Sequence, residues 1–475
     1  MAVGAGRGWG WGAAGVLAAA VVALPLLVLP LSLLRPSGTW DRIAPEILPE
    51  AVRNSLVLGV GVAAGTLVLG TALAVLVTFY DFPLRRTLEW TLVLPLAMPG
   101  YVLTFVLLGQ YDAASPLQRG LRAIFGENAA LPELRSTGGA ILVLTLVLYP
   151  YVYLLARSAF VGQSRGLMEA ARSLGHSNLG AIRRVALPLA RPAIAAGTAL
   201  AAMEALADFG AVNLLNYRAL TDAIYRVWYG AFDRRAALQL GAVLLGLVAL
   251  LVALERLSRR GRSFEQTGGD EVVRRRLHGA RGWLAAAGPL ALLAVVLVGP
   301  VVQLGAWSLA SLRHGTYDAS LLADARNSLL LAFLAAMLAV GLAVVVVYAV
   351  RVRPSRLRRG AARAASIGYA VPGSVAAAAV FLVADRVDDA LGLVLTGTLA
   401  ALVLAYAVRF TALAVQAVEA RMSAVPSALD AAARSLGAGR ARVLGEIHVP
   451  LLAPGVATAV LLVFVEVLKE LPATV

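Results

Sequence analysis

Ala170-Ala171-Arg172-Ser173-Leu174-Gly175 recurs, residue for residue, as Ala432-Ala433-Arg434-Ser435-Leu436-Gly437, 262 positions later. Downstream, Pro188 and Pro192 recur as Pro450 and Pro454 at the same offset. Upstream, Arg53-Asn54-Ser55-Leu56 recurs as Arg326-Asn327-Ser328-Leu329, and Pro99-Gly100 as Pro372-Gly373, both 273 positions later. The order is kept, so the chain is a tandem duplication. The offsets differ because the first copy holds extra residues, most simply in the loop at about 110 to 138, where insertions are tolerated.

The repeated unit is built of apolar runs. The chain is 60% hydrophobic and 15% charged, with a mean hydropathy of +0.80. That is more apolar surface than one soluble core could bury. A bilayer core needs roughly 20 apolar residues per helix. Eleven runs approach this, at about 13 to 34, 55 to 79, 91 to 109, 139 to 161, 187 to 209, 236 to 254, 283 to 308, 327 to 350, 366 to 384, 392 to 413 and 450 to 471. They lack the ten-residue alternation of a membrane barrel. The expected fold is an all-α polytopic membrane protein of two parallel-repeat halves, related by an axis along the membrane normal. Residues 1–255 form the first half, 256–282 a solvated, Arg-rich linker, and 283–475 the second half. Each half should hold six helices. The second stops at Val475, the counterpart of Asn213, so the reading expects one helix to be missing through C-terminal truncation.

The formal net charge of +15 falls mainly on the segments that are inside if the N-terminus is cytoplasmic, as membrane orientation requires. No aromatic-plus-basic stacking surface accompanies it, which argues against nucleic acid. The chain has no cysteine, and its four histidines, His176, His278, His314 and His448, are scattered. Neither a metal cage nor a catalytic thiol is encoded, and no catalytic residue is assigned. The first apolar run has no clear cleavage site and reads as a retained helix.

The repeated hexapeptide opens a longer pattern, Glu169-Ala170-Ala171, three residues, Gly175, nine residues, Val185, one residue, Leu187-Pro188. The second copy places Ala432, Ala433, Gly437, Ile447, Val449 and Pro450 on the same marks, with Ala431 for the glutamate and Asp430 beside it. Small residues at 170 and 171 allow close helix approach, Gly175 allows a turn that a Cβ would hinder, and Pro188 suits a helix start. This pattern resembles the EAA loop of binding-protein-dependent ABC importer permeases. The resemblance implies a permease coupled through loops 169–188 and 431–450 to two copies of a separate ATPase subunit. It further implies a periplasmic substrate-binding protein, residence in a bacterial inner membrane, and ATP held by the partner, with no cofactor on this chain. In agreement, the chain has no phosphate-binding loop, and its one lysine is Lys469.

The stretches from Leu94 (LPLAMPGYVLTFVLLGQYD), Ala205 and Glu466 (EVLKELPATV) resemble iron(III) importer permeases. Thiamine permeases share the fused layout, and putrescine, phosphonate and sulfate permeases share the loop. Acids inside apolar runs are costly and mark function. Glu204 and Asp208 are spaced to share a helical face, as are Glu466 and Glu470. They either line a cation path or sit wetted at helix ends with Lys469 or Arg218 as partners. Tyr149, with Pro150, Tyr151 and Tyr153, either narrows the path or packs. Arg409 reads as a snorkelling residue, and Pro99-Gly100 and Pro372-Gly373 as hinges. A gradient-driven transporter would share the repeats without needing the paired loops, and a membrane enzyme would need converging His, Cys or carboxylate groups.

Overall fold

The computed structural model describes residues 7–474, except 35–36, 113–114, 164, 260–273, 317, 319, 353, 367, 369–370 and 472. Among the described residues, nine helices are long and apolar enough to cross a membrane, ten if one bent pair is a single span. The long runs persist as expected, in Leu48–Phe79, Thr137–Val161, Leu321–Val352 and Leu399–Ala424.

Two of the eleven expected runs differ. The run at 91 to 109 is broken: segments Arg85–Ala97 and Gly100–Tyr111 meet at 94°. Pro99 is the extended residue between them, with ψ 141. Proline cannot donate to a helical ladder and pushes its predecessor out of the helical region, so the break falls there. The run at 366 to 384 becomes the helix Gly373–Leu391, begun by Pro372 with ψ 146. Its far end carries Asp385, Arg386, Asp388 and Asp389, so it is not apolar throughout. Asp388 accepts from the backbone N–H groups of Leu395 (2.7 Å) and Thr396 (2.8 Å). Desolvation acts to raise its pKa, but these bonds and the Thr396 hydroxyl hold it below the usual carboxylate value.

The chain divides into two compact units that do not follow the repeat boundaries. One comprises Ala44–Ala223 and Gly246–Tyr317, the other Met1–Ile43, Ile224–Leu245 and Asp318–Val475. The first helix of each repeat therefore packs within the core of the other repeat. Arg7–Ser32 lies on the 321–352 helix, with Trp11 edge-on to Tyr348 at 5.2 Å. Ala280–Leu293 contributes Ala286 and Leu293 to the core around Tyr149 and Phe160.

Small residues bring the helices together. A Cβ at Gly70 would stand 2.7 Å from Val152 Cβ, and one at Gly197 would stand 2.8 Å from Val152 Cα, so three helices meet at Val152 through two glycines. In the second repeat the same task falls to Ala332, Ala335, Ala336, Ala339 and Ala343, a buried stripe at helical spacing.

Of the expected linker 256–282, residues 260–273 lie outside the described residues. Residues 256–259 continue the helix Arg234–Arg259, and Arg275–Arg276 pair in parallel with Tyr80–Asp81. Leu277 N–H donates to the Asp81 carbonyl at 2.8 Å. The linker's end is thus a short strand clipped to the first repeat, with its side chains exposed.

Candidate functional site

The two hexapeptides fold alike. Each ends a nine-residue helix, Arg165–Ser173 or Ser427–Ser435. Gly175 and Gly437 follow with φ of +83° and +82°. The next residue closes the turn: His176 N–H donates to the Ala171 carbonyl (3.2 Å) and Ala438 N–H to that of Ala433 (3.0 Å). This is a glycine C-cap, in which the left-handed residue lets orphan carbonyls be satisfied. Of each alanine pair only the second is buried, Ala171 and Ala433, while Ala170, Ala432 and Glu169 are exposed. The close approach expected of both alanines thus falls to one, and the other faces outward.

Leu174 and Leu436 are 80% and 88% exposed at the tips, a feature sequence reasoning passed over. The signal was an apolar residue held at the same place in both copies of a polar loop. An exposed leucine beside exposed small residues makes an apolar knob on each loop.

Pro188 does not start the following helix, as its position suggested. Helix Asn178–Ala181 begins ten residues earlier, with the Ser177 hydroxyl accepting from Gly180 N–H at 3.1 Å. A π turn at Ile182–Ala186 then leads into Leu187–Ala207. The wider turn accommodates the proline ring, which would clash with the carbonyl four residues back in an α-helix. In the second copy, the π turn Leu444–His448 precedes Val449–Leu468 and Pro450 in the same way. Ser177 has no equivalent there: Gly439 stands in its place.

The acids are not arranged as paired stripes. The helix ends at Ala207, so Asp208 leaves the face occupied by Glu204. Asp208 Oδ1 instead accepts from the N–H groups of Ala211 (2.9 Å) and Val212 (3.3 Å), capping the helix Gly210–Leu214. Glu470, its repeat counterpart, accepts from Ala473 N–H at 3.2 Å. Each acid abuts the glycine of a Pro-Gly break: a Cβ at Gly100 would lie 3.0 Å from Asp208 Oδ2, and one at Gly373 would strike Glu470. Both breaks are therefore braced by the carboxylate that follows the penultimate long helix or its counterpart. Glu466 is paired with Lys469 at 2.7 Å.

Arg409 does not snorkel. It is buried and sits 2.7 Å from Glu470. Val147 occupies the equivalent place in the first copy, so this pair belongs to one half alone. Tyr149 is fully buried and donates to the Leu92 carbonyl at 2.8 Å; Tyr153 likewise donates to that of Glu89 at 2.8 Å. These tyrosines pin the bent pair to the 137–161 helix, and their environment is core rather than path. No group of three or more His, Cys, Asp or Glu poised for a metal occurs among the described residues.

A model of the family described as binding-protein-dependent transport system inner membrane component matches twice, over residues 66–260 and 335–474. An Fe(3+)-transport system permease protein of Haemophilus influenzae is 27% identical over 434 residues, covering 90% of this chain and 81% of its own. A molybdate/tungstate transport system permease protein of Pyrococcus abyssi is 25% identical over 223 residues, 46% of this chain and 83% of its own. A sulfate transport system permease protein of Salmonella typhimurium is 26% identical over 242 residues, 49% of this chain and 84% of its own. With two family matches that together span well over half of the sequence, on a duplicated helical membrane fold, the chain belongs to the inner membrane components of binding-protein-dependent transport systems.

Proposed function

We propose that this chain supplies both permease halves of an ATP-driven importer, and that its cargo is iron(III) delivered by a periplasmic binding protein. The observation that carries the importer reading is the matched pair of loops, each with an outward alanine, an exposed leucine and a left-handed glycine. In this reading the N-terminus and both loops are cytoplasmic. The knobs at Leu174 and Leu436 dock on two copies of a partner ATPase, whose closure on ATP moves the loops. Rocking of the membrane helices about the braced breaks at Gly100 and Gly373 then opens a central path alternately to each side. The chain performs no covalent chemistry.

Iron(III) is supported by an Fe(3+)-transport relative whose match runs through both halves. A second reading, an oxyanion cargo, is favoured by relatives named for molybdate/tungstate and sulfate, each matching about half of this chain. Glu204 and Glu466 remain the proposed path acids, while Asp208 and Glu470 brace the two breaks.

The test is uptake of radiolabelled iron(III), molybdate and thiamine by cells carrying the permease with its ATPase and binding protein, with and without Gly175→Val and Gly437→Val. Iron uptake abolished by either loop change supports both parts of the proposal. Uptake of another cargo with the same loop dependence replaces iron alone. Transport indifferent to the loops overturns the importer reading.

A further inference from the structure

The second loop carries a charged cluster built on residues that the first copy replaces with others. Asp430, on the Ser427–Ser435 helix, accepts from Arg351 Nε at 2.9 Å, and Arg351 stands near the end of the Leu321–Val352 helix. The other two guanidinium nitrogens donate to the carbonyls of Met422 (3.2 Å) and Val425 (2.9 Å), where the chain leaves the 399–424 helix. The second oxygen of Asp430 lies 2.9 Å from His448 Nε2. His448 is fully buried at the end of the π turn that leads into Val449–Leu468, with its ring edge-on to Tyr348 at 5.5 Å. The corresponding positions of the first copy hold Thr78, Met168 and Ala186. There the loop is held by apolar packing of Ala171 with Ala181 and Ile182, by Gln163, which donates to the Ala186 carbonyl at 3.0 Å, and by Arg172, which donates to Asn178 Oδ1 at 2.6 Å.

We propose that Asp430 is a positioning residue that ties the second loop helix to two membrane helices at once. Force delivered to that loop reaches the 321–352 helix through Arg351 and the 449–468 helix through His448. Apolar contact is non-directional and lets surfaces slide, whereas an ion pair to Arg351 and a close polar contact to His448 hold an orientation. The two loops are therefore held by different contacts, and the acid next to Ala431 faces the permease's own helices instead of standing in for the motif's glutamate at the partner surface. Removing the Asp430 carboxylate leaves the part-buried Arg351 guanidinium without its counter-charge, which a glutamate could still supply. The inference rests on the coupling role proposed for the loops.

Because the sequence has no cysteine, introduced pairs can be spin-labelled cleanly. Distances are measured in the complete complex with its ATPase, before and after ATP with vanadate. Labels at Ser173→Cys and Ser435→Cys report whether the loops move at all, and labels at Ser435→Cys and Thr458→Cys report whether the second loop moves with its membrane helix. The expected result is a 173–435 distance that changes with nucleotide and a 435–458 distance that does not. Asp430→Asn should make the 435–458 distance nucleotide-dependent and lower transport per ATP hydrolysed about tenfold, while Asp430→Glu restores both. An unchanged 435–458 distance and transport ratio in Asp430→Asn overturns the proposal. A 173–435 distance that ignores nucleotide overturns the coupling role as well. If Asp430→Asn does not assemble, His448→Gln, which leaves the Arg351 pair in place, is read by the same two measurements and the same criteria.

Discussion

At Gly175 and Gly437 nothing lies within 4 Å of where a Cβ would stand, so the backbone's handedness alone asks for glycine. The left-handed region costs an L-residue roughly 1–2 kcal/mol, less for asparagine. Accordingly Gly175→Asn should keep most transport and Gly175→Val should lose most of it, compared as uptake at equal amounts of permease in the membrane. Equal loss in both would mean that the site senses side-chain bulk. This glycine was legible in the sequence because its requirement is local. The acids were not. Spacing alone placed Asp208 on the face of Glu204, but aspartate also caps well, and here it satisfies the N–H groups of Ala211 and Val212. Arg409 misled for a related reason: a charge about a turn from a membrane face reads as snorkelling until its partner, 61 residues away in sequence, is seen beside it.

At the scale of elements, three π turns share one setting. Ile182–Ala186, Ala294–Val298 and Leu444–His448 each lie just before an X-Pro pair, ending in Pro188, Pro300 and Pro450. A proline in a helix interior leaves a carbonyl without its donor and crowds the preceding turn, and one extra residue in the turn relieves both. The sequence shows where these prolines are but not whether the chain starts, kinks or widens there, since all three outcomes satisfy proline. Pro188→Ala removes the need for the wide turn. The expected outcome is a higher Tm for the purified permease with lower transport, because closing the turn rotates the loop helix relative to the helix it drives. A lower Tm would show that the π turn is kept by packing and not by the ring. The 94° bend was more legible, since Pro-Gly within an apolar run leaves little choice but a break.

At the scale of the molecule, the duplication and its apolar runs could be read directly, whereas the composition of each compact unit could not. Helix periodicity says that a face must be buried but does not name what buries it. The helix Arg7–Ser32 completes a unit otherwise built mainly from the second repeat, and Ala280–His314 completes the unit of the first. Residues 1–255 expressed alone should therefore be degraded or aggregate, and so should residues 283–475, while co-expression of the two should restore a protease-resistant permease. Stable, compact single repeats would contradict this. The interleaving also sets a schedule for biogenesis. The first helix emerges from the ribosome before its principal partner, Leu321–Val352, exists. At about 5–20 residues per second, the chain between Ser32 and Leu321 takes roughly 15–60 seconds to synthesise. For that interval an apolar helix without its principal partner must be kept by lipid or by an insertion factor, which makes it a segment exposed to quality control while the permease is being made.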